Sequence, residues 1–166
     1  MIRSGKFISE FIDTDEESVQ PNGVDLSVDK IYEAVGHAVL SDEDYIKPHR
    51  KELEPVNVDE KEVSEIIERK SYVLEPGYYI IEYSETIEIP EEHVGLVFPR
   101  SRLMRSGSSL YTAVWDSGYK GKGEGGLRVD NKCYIEEGMD VGQIIYLTTE
   151  DLEDHYDGKH QGENID

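Results

Sequence analysis

Cysteine is almost absent. Cys133 stands alone among 166 residues, so no disulfide can form within the chain. No paired-cysteine or His-x-Glu pattern accompanies it, which excludes a zinc deaminase. The five histidines, His37, His49, His93, His155 and His160, show no ligand spacing, so a structural zinc site is not expected. No apolar run approaches the roughly 20 residues that a membrane-spanning helix needs. The opening MIRSGKFISEF lacks the apolar stretch and small-residue cleavage site of a secretory signal. Together these absences make a cytoplasmic address, with no membrane partner, the expectation.

Positive charge is scarce too. Lys and Arg number 17 against 37 Asp and Glu, for a formal net charge of -20. Such a surface repels nucleic-acid phosphates, so nucleic acid is not an expected partner. The excess fits either a protein working in high salt, where screening removes self-repulsion, or an acidic protein of ordinary habitat. With 166 residues, 37% of them hydrophobic, the chain is expected to form one domain with a modest core.

What is present reads mainly as strands. Residues 4–12 predict a short helix: Ser4 can cap it, and Phe7, Ile8 and Phe11 recur at helical spacing. An acidic connector follows, then Pro21-Asn22-Gly23, a turn signal, and an alternating strand. Residues 40–68 are polar with few apolar anchors, a long acidic excursion with partial helix through Val63, Ile66 and Ile67. From residue 72 onward, short strand patterns recur at 72–74, 78–83, 86–89, 94–98, 110–115, 126–129, 133–135 and 141–148. That spacing predicts an all-β sandwich or barrel, and the lack of βαβ alternation excludes a Rossmann-type sheet. Residues 151–166 have no apolar periodicity and read as a mobile C-terminal arm.

One cluster breaks the acidic background. Arg100, Arg102 and Arg105 fall within six residues, and Asp116 follows eleven residues later beside Trp115 and a Ser-Gly-Tyr turn. Guanidinium forks match phosphate oxygens, so the cluster answers either to an anion or to a buried ion-pair network. A carboxylate on a turn beside an aromatic can orient a water. Phosphate clamp and carboxylate together point to chemistry on a nucleotide.

Four further segments extend the pattern. QPNGVDLSV at 20–28, TAVWDSGYKG at 112–121, GQII at 142–145 and YDGKHQGE at 156–163 accompany PRSRLMRSG at 99–107. In order and spacing, these segments resemble the dUTPase and dCTP deaminase superfamily, archaeal-type dUTPases in particular. The resemblance implies a β-clip or distorted jelly-roll subunit, a homotrimer with active sites at subunit boundaries, and Mg²⁺ on a bound triphosphate. It implies dUTP as the small-molecule substrate.

The resemblance also assigns roles. Asp25 would hold Mg²⁺ through water; on residue type alone it is an Asx-turn residue. Arg100, Ser101 and Arg105 would bind phosphate, with Gln143 on phosphate or its water. Arg102 departs from the small residue common in relatives, and either adds a phosphate contact or faces an acid. Asp116 would orient the water that attacks the α-phosphorus; the plain alternative is a turn-capping aspartate. Tyr119 would stack on deoxyribose and exclude a 2′-hydroxyl, and Thr112, Ala113 and Val114 would read the base edge through their backbone. Lys159 and Gln161 would close over the triphosphate from the arm.

The chemistry divides relatives into hydrolases and deaminases. Deaminases use a glutamate in a Leu-Glu strand after the aspartate turn. Here Arg128 stands in the matching Gly126-Leu127-Arg128-Val129, and arginine holds its proton near neutrality. Glu124, four residues earlier, keeps a dCTP deaminase or bifunctional enzyme as the alternative to a dUTP diphosphatase. A non-catalytic nucleotide-binding protein is a third reading.

Overall fold

Alternation decides the architecture. Ile81 and Tyr83, Leu127 and Val129, and Ile144 and Tyr146 occupy every second position of three segments, and all six are inaccessible to solvent. Period-two burial is what a sheet with one inward face produces. Burying each such side chain contributes about 1.5–3 kcal/mol. The computed structural model describes residues 1–42, 45–150 and 156–165.

The chain opens with one helical turn, α1 (Gly5–Ile8), capped as expected by the Ser4 hydroxyl, which accepts from the Phe7 amide at 3.3 Å. The predicted helix over 4–12 is shorter in α form, because the chain tightens to a 3₁₀ turn over Ser9–Phe11. α1 rests directly on the Pro21-Asn22 turn. The Gly5 amide donates to the Pro21 carbonyl at 3.1 Å, and the carbonyls of Gln20 and Gly23 lie where a Cβ on Gly5 would stand.

Next come β1 (Val19–Gln20) and the long β2 (Gly23–Val35). The excursion then forms β3 (Val39–Leu40), β4 (Tyr45–Ile46), β5 (His49–Glu52) and a helical turn, α2 (Lys61–Ser64). β6 (Ser71–Leu74), β7 (Gly77–Tyr83), β8 (Ile87–Glu88) and β9 (His93–Pro99) lead to the short α3 (Ser101–Arg105). β10 (Ser108–Tyr111), β11 (Lys120–Gly121), β12 (Glu124–Val129), β13 (Cys133–Glu136) and β14 (Asp140–Thr148) complete the set.

The main sheet runs β10-β12-β7-β2-β14-β9, with β1 and β5 also paired to β2. Its two ends approach each other: the Thr112 hydroxyl, just beyond β10, donates to the Val97 carbonyl of β9 at 3.3 Å. The sheet therefore curls almost to closure, and the fold is the all-β jelly-roll type expected from the sequence.

The excursion is more ordered than its composition implies. β5 pairs with the far half of β2, setting Arg50 opposite Ala34, although all four β5 residues are polar. Backbone pairing, not apolar patterning, holds it. Residues 43–44 of the excursion, and 151–155 and 166 of the expected arm, lie outside the described residues.

Candidate active site

Three adjacent strands deliver one polar cluster. Asp25 on β2 stands opposite Gln143 on β14, and β9 ends at Pro99 opposite Gly142. The Arg100 amide donates to the Val141 carbonyl at 2.8 Å, which fixes the start of α3 against β14. The side chains converge. Asp25, 1% exposed, accepts from Gln20 Nε2 at 2.8 Å and Gln143 Nε2 at 3.1 Å, and its Oδ2 forms an ion pair with the Arg100 guanidinium. Asp140 Oδ2 lies 4.0 Å from the same guanidinium. A carboxylate buried this deeply needs such partners. Of the two explanations for the arginines, an ion-pair network accounts for part of what Arg100 does.

Ser101, Arg102 and Arg105 continue from there on α3, all exposed. The first-turn amides of a helix have no acceptor within it. Arg102 lines a cavity of about 300 Å³ with Leu103, Cys133, Ile135 and the excursion residues Ile66 and Ile67, and Asp140 borders it too. Burial raises the pKa of the Cys133 thiol.

A second cluster forms beyond β10. Trp115 exchanges backbone hydrogen bonds with Gly95 at 2.8 and 3.1 Å, which suspends the stretch from Thr112 to Val114 along the sheet edge. Ala113 and Val114 are exposed and Thr112 is half-buried. Asp116 follows, exposed, and begins a turn closed by the Tyr119 amide donating to its carbonyl at 3.1 Å. Gly118 takes the left-handed conformation this turn needs, with φ of 84°. Tyr119 is buried against Trp115, their rings 5.5 Å apart. Its hydroxyl donates to Glu163 Oε1 at 2.9 Å. Burial first, and Glu163 second, raise the pKa of that phenol, so it stays a donor.

Asp116 and Tyr119 share a cavity of about 110 Å³ whose wall also includes Trp115, Glu124, Tyr156, His160 and Glu163. Three of these residues come from the C-terminal segment. The expected arm is docked here over its described part. The Tyr156 amide donates to the Ser117 carbonyl at 2.7 Å, and the Tyr156 ring meets Tyr119 edge-on at 5.8 Å. Gln161 Nε2 donates to the Gly118 carbonyl at 2.9 Å and its Oε1 accepts from the Lys120 amide at 3.1 Å. Gln161 thus grips the backbone of the aspartate turn. Lys159 stands over the Tyr45 ring at 5.4 Å.

The two clusters are separate within the chain. Gly95, paired with Trp115, and Arg100 are five residues apart along extended chain, about 17 Å at roughly 3.3 Å per residue. The cavity at Asp116 is not lined by Arg100, Ser101, Arg105 or Gln143. Arg128 points outward from β12 and pairs with Asp130 at 3.0 Å, so the β12 carboxylate that reaches the cavity is Glu124.

Sequence reasoning did not single out Gln20, Asp140, Tyr156, His160, Glu163 or Arg50. Gln20, Tyr156, His160 and Glu163 lie inside the quoted motifs and carried a signal; Asp140 and Arg50 are placed only by the fold. Among the described residues, no group of three or more acidic, histidine or cysteine side chains could cage a metal. An ionised carboxylate has about four acceptor sites, and three donors already reach Asp25. The residues therefore fit Mg²⁺ held chiefly by phosphate and water, with at most one site on Asp25 for a bound water.

Comparison with known proteins follows the same lines. Residues 1–149 match the dCTP deaminase-like family. The chain is 38% identical over 167 residues to a probable deoxyuridine 5'-triphosphate nucleotidohydrolase of Halobacterium salinarum, covering 100% of this chain and 97% of that one. It is 34% identical over 152 residues to the deoxyuridine 5'-triphosphate nucleotidohydrolase of Methanocaldococcus jannaschii, covering 92% of each. Among solved structures, the 2'-deoxycytidine 5'-triphosphate deaminase of Agrobacterium tumefaciens superposes with a TM-score of 0.61 at 18% identity, over 87% of this chain and 47% of that chain. The likeness is one of fold, and this chain spans about half of that deaminase.

Proposed function

The chain belongs to the dCTP deaminase-like family, and from that premise we propose that it hydrolyses dUTP to dUMP and pyrophosphate. One observation carries the reading. An exposed Asp116 carboxylate opens onto a cavity walled by Trp115 and Tyr119, in a chain that matches nucleotidohydrolases along its whole length.

In this reading the deoxynucleoside occupies that cavity once the arm yields space. Tyr119 packs on the deoxyribose face and leaves no room for a 2′-hydroxyl. The backbone of Thr112, Ala113 and Val114 meets the base edge. Asp116 aims a water at the α-phosphorus and takes its proton. The water oxygen bonds to phosphorus as the bond to the bridging oxygen of the β-phosphate breaks, and pyrophosphate departs. Arg100, Ser101, Arg105 and Gln143 receive the charge of the leaving phosphates. Mg²⁺ bound to the triphosphate would neutralise its oxygens further, with Asp25 as an outer partner through water.

The separation between the two clusters supports a homotrimer in which Arg100 of one subunit faces Asp116 of another. Lys159 and Gln161 would then act from the arm as it refolds over substrate. The single cysteine fits a reducing cytoplasm.

The test is product analysis on dUTP with Mg²⁺, from low to molar salt. dUMP and pyrophosphate are expected, with no ammonia from dCTP. Asp116→Asn should lower kcat by about 10²–10⁴-fold and still bind a non-hydrolysable dUTP analogue. Binding of dUTP without pyrophosphate release by the wild type overturns the proposal.

A further inference from the structure

The excursion that links β2 to β6 touches the wall of the Asp116 cavity through Arg50 and Glu124. Arg50 on β5 makes a two-pronged contact with Glu124, Nη1 to Oε1 at 2.5 Å and Nη2 to Oε2 at 2.8 Å. Its guanidinium also lies 5.8 Å from the centre of the Tyr32 ring. Glu124 opens β12 and lines the same cavity as Asp116 and Tyr119.

Sheet register explains why a clamp is needed. Glu124 stands directly opposite Glu82 on β7, and like charges placed so repel. Glu82 is buried and accepts from the Tyr32 hydroxyl at 3.1 Å. Glu124 is answered by Arg50. The register of β5 on β2 holds that arginine at the right height, Ala34 opposite Arg50 and Tyr32 opposite Glu52.

A guanidinium fork fixes a carboxylate in its plane and leaves its remaining acceptor positions free. Here the Glu124 side chain is 23% exposed, and the cavity is among its surroundings. We propose that Arg50 is a positioning residue for nucleoside recognition: it orients Glu124 as a hydrogen-bond acceptor on the cavity wall, and Glu124 takes a donor of the bound deoxyuridine. That donor is the sugar 3′-hydroxyl or the base imide N–H, the two neutral donors the nucleoside carries. The excursion is then part of the active site and not a solvated insertion. The proposal rests on reading the Asp116 cavity as the nucleoside site.

The experiment compares wild type, Glu124→Gln, Arg50→Met, Arg50→Lys and the double variant Arg50→Met/Glu124→Gln. Glu124→Gln keeps size and shape, so it carries the test even if Arg50→Met folds poorly. Each of these two variants should raise KM for dUTP and the inhibition constant of dUMP about tenfold, with kcat within about twofold. The double variant should be no worse than Glu124→Gln alone, and Arg50→Lys should fall between. Inhibition by pyrophosphate, which reads the phosphate half, should not move.

Two substrate analogues identify the donor. A 3′-deoxy analogue and an N3-methyl analogue are compared on wild type and Glu124→Gln; the one that both proteins handle equally names the lost contact. Unchanged KM in Glu124→Gln, additive losses in the double variant, or an analogue penalty identical in size for both donors in both proteins overturns the proposal. Should the wild type prove unable to hydrolyse dUTP, the proposed activity fails. The same variants are then read by calorimetric binding of dUMP, where the about tenfold loss stands or falls separately.

Discussion

Asp25 and Arg100 form an ion pair in which the carboxylate is 1% exposed and the guanidinium side chain 25% exposed. The pair joins β2 to the start of α3, so the arginine nearest the proposed phosphate site is aimed from inside the fold. Breaking a buried pair from one side costs about 3–5 kcal/mol. Asp25→Ala should therefore lower Tm by roughly 6–20 °C, at about 2–4 °C per kcal/mol for a chain of this size. It should also raise KM for dUTP, because Arg100 loses its anchor. A double-mutant cycle with Arg100→Ala should return a coupling of about 0.5–3 kcal/mol, and additive effects would remove Arg100 from this role.

The C-terminal segment closes the cavity at Asp116 with backbone and side-chain contacts. Truncation after Glu150 removes Tyr156, His160 and Glu163 from the wall at Asp116, and Gln161 from the backbone of the aspartate turn. Most core residues are untouched by this change. Tm should shift by only a few degrees, while kcat/KM for dUTP falls at least about tenfold. An unaltered kcat/KM would show that the arm is a passenger.

Glu85 provides a pH test. It is buried and accepts from both the amide and the hydroxyl of Ser27, at 3.0 and 2.7 Å. Burial nonetheless raises its pKa above the ordinary carboxylate value, and Asp140 nearby adds to the effect. A carboxyl with a raised folded pKa is a burden where it is ionised, and the burden disappears below its unfolded pKa. Wild type should gain stability relative to Glu85→Gln as pH falls from 7 towards about 4. Denaturant midpoints across that range measure the gap, and a gap that widens against wild type on acidification contradicts the assignment.

Gly5 tests the seat of α1. A methyl group there would meet backbone carbonyls, which cannot swing aside. Gly5→Ala should cost about 1–3 kcal/mol by overpacking, despite alanine's better helix propensity. A thermal melt at or above wild type would mean that α1 shifts freely.

Much of the fold is legible in the sequence, for a physical reason. Residues such as Ile81, Tyr83, Ile144 and Tyr146 alternate with polar neighbours, and alternation survives in one dimension. Helix length is less visible. The spacing of Phe7, Ile8 and Phe11 does not show that α1 gives way to a 3₁₀ turn after Ile8. β5 is invisible to patterning because all four of its residues are polar, and its backbone pairing with β2 leaves no apolar alternation.

The site divides similarly. Arg100, Ser101 and Arg105 announce themselves by charge in an acidic chain, and Asp116 by the turn it starts. Their partners do not. Arg50 and Glu124 are 74 residues apart, joined by the registers of two strands on opposite flanks of β7 and β2. Asp25 carries a motif, but whether its oxygens face a metal's water or a guanidinium depends on where β9 ends. Gln161 lies in a recognisable tail motif, yet it holds the backbone of the aspartate turn, a partner that side-chain identity does not encode.

Trp115 is the chain's one tryptophan, and it lines the cavity at Asp116 with Tyr119 5.5 Å and Tyr83 6.0 Å away. Every photon emitted on selective indole excitation thus originates at that wall. Intrinsic fluorescence needs no label to report when the arm lifts, when a pyrimidine ring arrives, and how quickly each happens.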